Sequence, residues 1–418
     1  MSTQKPAFRW FVLVALILAT MTNAVTLISP APLIGDLIKT LGVGPGPIVG
    51  ATMGTFNLFG ALAAIAGGWL LDRLGFTKVW IGCLALMVIG LVLTPFLGRS
   101  VMGLAVLRSL QAIGGGPIMA SAGKVAAEWF VPEERGIVTG AQGLSMGVGI
   151  TLGFAIAPAI FVATGDPFKA MAGVSIVGII ALILALVVAF GPKAPEMPAP
   201  EGMGANSDNL FSEAMKKPAT WATIGVVIAI GWVFQGFNDI VPGYIAIPDI
   251  GLGMGSMTAG KYMSIVSIAI MIGAAVSGFV VEKVFGGNVK PVAFLACILF
   301  AVFVFAIKIG AIANGAGLLP CLILAGFFMA FINPVAMAFI AKYYPEQVVG
   351  RICGMAQGIG MFAGTAGVTL GATALHVTGH YQMSITIVVV VGVFGCLCAL
   401  GMNKPKTAER KIGASIKA

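Results

Sequence analysis

Twelve long apolar runs divide this chain, and they limit its possible folds more than any other feature. Each run is close to the roughly 20 residues that a helix needs to cross the apolar core of a bilayer. The runs cover residues 10–30, 47–71, 79–97, 101–124, 136–162, 170–190, 221–241, 259–281, 291–307, 318–341, 352–375 and 383–402. Only 9% of the 418 residues are charged, whereas 59% are hydrophobic, which is far from the composition of soluble domains. The sequence therefore predicts an all-α membrane protein with twelve transmembrane helices.

The basic residues are distributed unevenly between the loops. If both chain ends lie in the cytoplasm, most of the 24 Lys and Arg residues fall on the cytoplasmic side, as is typical of inner-face loops. The exceptions are Lys39, Arg99, Arg108, Lys169, Lys261 and Lys308. This asymmetry predicts a multi-pass protein of the cytoplasmic (inner) membrane with both termini cytoplasmic. It also explains the net charge of +9 without a nucleic acid as partner.

The longest polar interruption, residues 191–220, divides the runs into two sets of six. Its prolines and polar residues predict a cytoplasmic linker, with one short helix around residues 210–217. We therefore expect an N-terminal six-helix bundle over residues 1–190 and a C-terminal bundle over residues 221–402. A basic cytoplasmic tail over residues 403–418 completes the predicted organisation.

A short charged hinge between the second and third runs recurs in weaker form between the eighth and ninth. The first copy contains Gly68, Asp72, Arg73 and Gly75, and the second contains Glu282 and Lys283. A second pair of similar segments, around Arg135 and Arg351, joins the fourth and fifth runs of each half. Two parallel six-helix repeats with matching hinges predict a transporter that rocks one half against the other.

The first hinge resembles the signature loop of the major facilitator superfamily, in which glycine, three residues, aspartate, arginine, one residue and glycine follow one another. Gly68, Asp72, Arg73 and Gly75 match that loop position for position, although its usual basic pair is replaced by Phe76-Thr77. The resemblance covers almost the whole chain and implies two pseudo-symmetric six-helix bundles. It also implies a gating role on the cytoplasmic side for the hinge residues. The implied gating set is Gly68, Asp72, Arg73, Gly75, Arg135, Glu282 and Lys283.

Two further segments bear on the branch of the superfamily. The fourth run is similar to a family pattern through Leu104, Arg108, Gln111 and Gly114, with Ala112 in place of a glycine. The fifth run, with its glycines and Pro158, only loosely resembles the glycine–proline motif of drug and proton antiporters, which disfavours drug efflux.

Arg108 is the most informative single residue. It falls near the outer end of the fourth predicted helix, about 10 Å below the membrane surface at 1.5 Å per residue. An arginine at such a depth costs a few kcal/mol and usually faces a cavity or a partner. It is predicted to clamp a carboxylate or a similar oxyanion. The alternative is that it extends to the interface or pairs with a carboxylate such as Asp36.

The other candidates lie on the helices that the family places nearest the cavity, or are charged residues near the outer side. The substrate-binding candidates are Arg108, Gln111, Lys261, Trp232, Gln235, Asn333 and Asn23. Asp36 and Asp239 are the candidates for proton coupling. Asp36 is expected to end the first helix, Asp239 with Asn238 to end the seventh, and all three side chains to be hydrated. Lys261 is equally compatible with an ordinary interfacial lysine.

His376 and His380 have a spacing that suits one metal ion on a helix, but Gly379 and their expected place in a loop disfavour such a site. No nucleotide-binding loop, catalytic triad or metal cluster is recognisable. We therefore expect neither an enzyme nor ATP-driven transport, and no cofactor or metal.

The leading hypothesis is a secondary transporter, expected to be a monomer in the lipid bilayer, that moves a small organic anion such as a carboxylate or sulfonate. Proton symport or anion exchange would drive it. Three alternatives stay open: efflux of neutral or amphiphilic compounds by proton antiport, exchange of neutral sugars or amino acids, and a receptor on the same scaffold that does not transport.

Overall fold

The computed structural model describes residues 7–130, 135–192, 207–344 and 346–404, and within these ranges the chain forms helices and connecting turns but no strands. We number the twelve long apolar helices α1 to α12. They are α1 Phe8–Ile28, α2 Thr55–Leu74, α3 Phe76–Val92, α4 Val101–Ala120, α5 Arg135–Thr164, α6 Ser175–Phe190, α7 Pro218–Ala246, α8 Gly255–Phe279, α9 Val289–Ala306, α10 Leu318–Tyr343, α11 Glu346–Thr378 and α12 Tyr381–Leu400.

Eleven of these helices are long and apolar enough to span a membrane, and α3 is a shorter apolar helix. After Leu93 the chain of α3 continues into the short helix Thr94–Leu97. The predicted all-α fold with twelve membrane helices is therefore confirmed. The short helix expected in the linker is also present, as Ser207–Met215, whereas linker residues 193–206 lie outside the described ranges.

Proline and glycine reshape the helices where they meet the predicted outer side. After α1, Pro30 opens a 3-10 turn, Ala31–Leu33, which leads into the short helix Ile34–Leu41. Before α2, the short helix Pro45–Val49 passes through a π-turn, Gly50–Gly54. Both irregularities free backbone carbonyls from ordinary helical bonding, because proline lacks an N–H and a π-turn shifts the hydrogen-bond register.

The same helix pairs pack closely in both halves of the chain. In the first half α5 lies against α1, where a Cβ added to Gly149 would be 2.8 Å from the Met21 carbonyl oxygen. In the second half α7 lies against α11, where a Cβ added to Gly231 would be 2.0 Å from the Gly360 carbonyl oxygen. Glycine permits these approaches because it has no side chain between the two backbones.

Two further pairings recur in the same way. Helix α2 packs against α4 and α8 against α10, with Gly116 against the Gly60 carbonyl and Gly273 against the Phe327 carbonyl. Helix α3 likewise packs against α6, and α9 against α12. Repeated pairing of this kind is what two parallel six-helix repeats require.

The chain separates into two compact units. The first comprises the described residues within Met1–Pro198, Asn238–Ile268 and Val368–Met383, and the second those within Ala199–Phe237, Ala269–Gly367 and Ser384–Ala418. The first unit therefore includes the C-terminal part of α7, the N-terminal part of α8 and the last turns of α11. The predicted division into bundles at residues 191–220 stays a prediction.

Within the first unit, two apolar clusters contact different parts of α4. A large one includes Trp80, Phe130 and Ile118, near the C-terminal end of α4, and Trp80 Nε1 donates to Ser121 Oγ at 2.9 Å. A small one, formed by Leu27, Phe56 and Ala112, lies at the middle of α4. Phe56 of this small cluster covers Arg108.

Candidate functional site

Arg108 on α4 is completely buried and is held almost entirely by backbone carbonyls. Its Nε donates to the Thr52 carbonyl at 2.8 Å. Its Nη1 donates to the Thr26 carbonyl at 2.7 Å and to Gln111 Oε1 at 2.9 Å, and its Nη2 donates to the Leu27 carbonyl at 2.9 Å. These bonds tie α4 to the end of α1 and to the turn before α2.

All of these acceptors are neutral, and the ring of Phe56 covers the guanidinium at 4.3 Å. The alternative in which Arg108 extends to the interface or pairs with Asp36 is therefore wrong in this conformation. The reason is that carbonyls at the end of α1 and in the π-turn accept from the guanidinium inside the protein, so it needs neither water nor a carboxylate. The positive charge is solvated without being neutralised by a direct partner.

Local sequence explains why these carbonyls are available. Pro30 stands four residues after Thr26 and has no N–H to donate to the Thr26 carbonyl. In the π-turn Gly50–Gly54, the N–H of Thr55 bonds to Gly50, one residue further back than in an α-helix. The Ala51 carbonyl, which this shift leaves without its helical donor, accepts from the Thr55 hydroxyl at 2.6 Å. The next carbonyl of the same turn, that of Thr52, accepts from Arg108. Sequence analysis missed these acceptors because a carbonyl belongs to every residue type.

Gln111, one turn after Arg108 on α4, is also fully buried. Its Oε1 accepts from Arg108, and its Nε2 lies 3.4 Å from Thr94 Oγ1. The side chain also packs against Gly90 of α3, where an added Cβ would be 2.8 Å from Gln111 Cγ. Gln111 therefore orients the guanidinium of Arg108 from the next turn of α4, and its own carboxamide is buried.

Asp239 on α7 joins this cluster from the second half of the sequence, and its side chain is 0% exposed. Its Oδ2 accepts a hydrogen bond from Asn57 Nδ2 at 3.3 Å, whereas its Oδ1 is buried without a hydrogen-bond partner. Arg108 attracts this carboxylate electrostatically. The cluster thus contains one buried cation and one buried acid that are not in direct contact.

The expectation that Asp239 and Asn238 end the seventh helix in a hydrated position is wrong. Helix α7 continues through Pro242 to Ala246, so both side chains lie inside the helix and are at most 1% exposed. A proline within a helix is tolerated in membrane proteins because neighbouring groups compensate for the lost hydrogen bond. The apolar run that predicted this helix ends at residue 241, whereas the helix continues through Pro242 for five more residues.

Asn23 lies close to the cluster on α1 and is 5% exposed. A Cβ added to Gly115 would be 2.0 Å from Asn23 Oδ1 and 3.7 Å from Phe56, the residue that covers Arg108. Asn23 therefore faces α4 beside the predicted substrate cation.

Asp36 and Lys261 do not meet Arg108. Asp36 is half-buried on the short helix Ile34–Leu41 and not at the end of α1, and its carboxylate interacts with the Ser256 hydroxyl and with Lys39. Lys261 is exposed on α8. The expectation that Asp36 ends the first helix is wrong because the chain continues as a separate helix after Pro30.

Three predicted substrate residues belong to the second unit, where they contact helices. A Cβ added to Gly367 of α11 would be 2.7 Å from Trp232, and one added to Gly364 would be 2.8 Å from Gln235. Trp232 and Gln235 therefore share the face of α7 that packs on α11. Asn333 Oδ1 of α10 accepts from the amide of Gln357 on α11 at 3.1 Å.

The predicted gating loop between α2 and α3 turns at Gly75. Its φ of 79° and ψ of 152° belong to a region that is essentially restricted to glycine. Arg73 is exposed. Gly68 is part of α2, and the side chains of Asp72 and Arg135 lie outside the described part of the chain, so the gating role of all three residues stays a prediction.

The weaker copy of this hinge follows α8 as a π-turn, Val280–Val284, that contains the exposed Glu282 and Lys283. The following Gly286 has a φ of 56°, so both copies of the hinge end on a glycine with positive φ. Lys342 of α10 donates to the carbonyl of Gly287 at 2.8 Å and braces the loop.

Titratable residues elsewhere do not assemble a metal site. In the part of the chain that the structure describes, no three His, Cys, Asp or Glu side chains come together in a way that could hold a metal ion. His376 is exposed in the last turn of α11 and not in a loop, and His380 follows the turn at Gly379.

Repeated helix pairs and twelve apolar helices define the class of the protein as a multi-pass membrane protein built from two similar halves. A sequence model of the Major Facilitator Superfamily matches residues 12–319 and 287–416. The chain belongs to this superfamily, so the predictions of a transporter and not an enzyme are confirmed.

Similar proteins agree with this assignment. The "Hexuronate transporter" of Bacillus subtilis (strain 168) is 25% identical over 375 residues, which are 85% of this chain and 86% of that protein. A bacterial homolog to the human lysosomal transporter Spinster, in an inward-facing and unoccupied conformation, has a TM-score of 0.74 at 15% identity, over 95% of this chain and 98% of that chain. Its inward-facing and occupied conformation has a TM-score of 0.73 at 16% identity, over 97% of each chain. At these identities the two structures show the fold alone.

Proposed function

We propose that this transporter moves a small organic anion, a carboxylate or sulfonate, by alternating access. The observation that carries the proposal is Arg108, a fully buried guanidinium whose hydrogen-bond acceptors are all neutral. Such a cation keeps an attractive field for an anion, because its bonds to carbonyls stabilise the charge without cancelling it.

The similarity to a protein named as a hexuronate transporter supports a sugar acid as the first substrate to examine. A hexuronate has one carboxylate and several hydroxyl groups, so it needs a cation and neutral hydrogen-bonding groups. We assign the carboxylate to Arg108 with Gln111. The remaining substrate-binding candidates are Asn23, Lys261, Trp232, Gln235 and Asn333.

The presence of Asp239 near Arg108 favours proton symport as the coupling mechanism. Anion exchange is the alternative. Asp239 is buried and interacts electrostatically with Arg108, so a substrate anion and Asp239 compete for the same positive charge. Protonation of Asp239 removes this competition. Asp36 is the second coupling candidate, although its interactions are with Ser256 and Lys39.

Gating is assigned to the two hinges. The first contains Gly68, Asp72, Arg73 and Gly75, the second contains Glu282 and Lys283, and Arg135 is the proposed partner of the first. A carboxylate in a hinge is favoured near a helix N-terminus or an arginine, and such a contact can break when the halves move.

The proposed location is the cytoplasmic membrane, with both termini cytoplasmic, because the Lys and Arg residues are concentrated in the loops of that side. The proposed oligomeric state is a monomer.

Counterflow of labelled anions in proteoliposomes tests the proposal. The panel contains D-glucuronate, D-galacturonate, lactate and a small sulfonate, with D-glucose as the neutral analogue of the hexuronates. We expect counterflow of at least one acid and none of glucose. Uptake of glucose as well as of the acids would contradict the proposal, and so would the absence of counterflow for every acid.

Arg108→Gln and Arg108→Lys test the assigned cation. We expect Arg108→Gln to lower anion counterflow at least about 100-fold, because loss of one partner of a buried charge interaction costs about 3–5 kcal/mol. Arg108→Lys should recover part of it. Arg99→Gln is the matched control, since Arg99 is half-exposed and pairs with Asp166. Undiminished transport by a folded Arg108→Gln protein would refute the role.

A further inference from the structure

Asn57 of α2 contacts the buried acid Asp239 and the turn whose Thr52 carbonyl binds Arg108. Its carboxamide nitrogen donates to the Met53 carbonyl at 3.0 Å and to Asp239 Oδ2 at 3.3 Å. One side chain thus connects the turn at the beginning of α2 with a residue of α7.

The backbone that positions Asn57 is the same turn that holds Arg108. Within the π-turn Gly50–Gly54, the Thr52 carbonyl accepts from Arg108 and the next carbonyl, that of Met53, accepts from Asn57. Two adjacent peptide units therefore fix the cation and the donor to Asp239. π-Turns inside helices are frequent at functional sites because they turn groups away from the helical register.

The hydrogen bond from Asn57 makes the two oxygens of Asp239 unequal. An amide N–H only donates, so Oδ2 is occupied as an acceptor. Oδ1 is buried and has no hydrogen-bond partner. Each carboxylate oxygen has two lone pairs, so the bond from Asn57 occupies one site on Oδ2 whereas both sites on Oδ1 are open. A proton that binds to this carboxylate is therefore favoured at Oδ1.

We propose that Asn57 is a positioning residue for proton coupling: it holds Asp239 Oδ2 so that the transported proton binds to Oδ1, the oxygen without a hydrogen-bond partner. The proposal rests on the proposed function in one respect, that a proton accompanies the anion. In the step a hydronium ion gives its proton to Oδ1, so one O–H bond of the hydronium breaks as the Oδ1–H bond forms. The reverse transfer to water later releases the proton.

The other charged groups of the first unit act elsewhere. Arg108 is the charged residue of the described chain whose field acts on Asp239. From the neighbouring elements, Asp36 interacts with Ser256 and Lys39, Lys261 is exposed, and His376 of α11 packs against Gly46. The electrostatic environment of Asp239 is thus set by one cation, Arg108, and one neutral hydrogen-bond donor, Asn57.

Infrared difference spectroscopy of the purified protein, acid minus neutral pH, tests the positioning role without any substrate. The protonated carboxyl C=O band that disappears in Asp239→Asn identifies Asp239. We expect Asn57→Leu and Asn57→Ala to move this band to higher frequency, because the C=O at Oδ2 has lost its donor. Thr55→Val is the matched control, since the Thr55 hydroxyl bonds only to the Ala51 carbonyl at 2.6 Å, and it should leave the band in place.

Transport of D-glucuronate provides the functional measurement. In Asn57→Leu we expect counterflow within about threefold of the unchanged protein, but accumulation driven by an inward proton gradient reduced at least about 10-fold, the effect of about 1.4 kcal/mol. Thr55→Val should retain both activities.

Two results would overturn the inference: an Asp239 band that is absent, or one that keeps its frequency in both folded Asn57 variants. Unchanged accumulation in those variants would also count against it. If the unchanged protein transports no acid at all, the proposed function fails, whereas the infrared result still decides the role of Asn57.

Discussion

At the scale of single residues, Arg108 shows how a charge is kept inside a membrane protein. Burial of an arginine at a helix centre costs about 2.5–3.5 kcal/mol on insertion scales. A hydrogen bond to a charged group contributes about 1.5–3 kcal/mol, and Arg108 makes four. The bonds therefore offset the cost without any carboxylate, which leaves the charge able to attract a substrate.

A second charged residue illustrates the opposite arrangement, a direct ion pair. Asp166 caps the short helix Pro167–Gly173 through the N–H of Phe168 at 2.9 Å and accepts from Arg99 at 2.7 Å. Desolvation acts to raise the pKa of Asp166, but the hydrogen bonds from Arg99 and the backbone outweigh it and hold this pKa below its ordinary value.

This pair predicts a pH-dependent stability. A carboxyl with a lowered pKa in the folded state stabilises it above the unfolded pKa of about 3.9, and that stabilisation is lost as the pH falls through the lower folded value. Asp166→Asn keeps a capping side chain but removes the charge. We expect the thermal midpoint of the unchanged protein to fall more than that of Asp166→Asn between about pH 5 and pH 2. Parallel pH profiles would contradict the prediction.

At the scale of elements, prolines and glycines decide where the helices depart from regular geometry. Pro30 leaves the Thr26 carbonyl without a helical donor, the turn Gly50–Gly54 contains the Thr52 carbonyl that binds Arg108, and Gly75 allows α2 to pass directly into α3. At these positions the effect of a substitution on stability should depend on whether the new residue can adopt the local backbone conformation.

Gly75→Ala tests this dependence, with Gly82→Ala as its control. Gly75 has a φ of 79°, where an alanine costs of the order of 1–3 kcal/mol. Gly82 lies inside α3 with nothing within 4 Å of an added Cβ, so alanine there should stabilise the helix by up to about 1 kcal/mol. We expect Gly75→Ala to lower the thermal midpoint in detergent and Gly82→Ala to keep or raise it. Equal shifts would refute the argument.

At the scale of the whole molecule, the first compact unit contains helix ends from both halves of the sequence. Helix α11 approaches the short helix Pro45–Val49, which precedes α2. A Cβ on Gly46 would lie 2.4 Å from His376 Cβ and 3.1 Å from its Cα. Helix α8 approaches α5 at Gly260, where an added Cβ would be 2.3 Å from the Phe154 carbonyl oxygen. Contacts this close depend on glycine and form a closure at the predicted outer side.

Gly46→Ala tests that closure. The backbone of α11 cannot accommodate the added methyl group, so we expect the variant to favour a conformation in which these helix ends separate. Met53→Cys, buried in the unchanged conformation, reports this when the native cysteines are replaced. Its labelling by a water-soluble maleimide should become at least about 10-fold faster, a shift of about 1.4 kcal/mol. Gly50→Ala is the control, because an added Cβ there meets nothing within 4 Å, and it should leave the labelling rate unchanged. If Gly46→Ala also left the labelling rate unchanged, the closure would be contradicted.

Hydrophobic runs, the repeated hinge and the family motif were sufficient to predict the twelve helices and the superfamily, because these depend on the chemistry of neighbouring residues along the chain. The same local reasoning selected Arg108, since an arginine in an apolar run is costly wherever it lies. It also placed Asp239 at a hydrated helix end, because the apolar run that defines the seventh helix ends at residue 241.

Only the tertiary structure decided what Arg108 and Asp239 contact. Three of the four acceptors of Arg108 are backbone carbonyls, which no residue letter distinguishes, at the end of α1 and in the π-turn before α2. Asn57 and Asp239 are 182 residues apart and meet because the part of α7 from Asn238 onward packs within the first unit. Local patterns determine which segments are helices, whereas the pairing of buried polar groups depends on how distant helices pack.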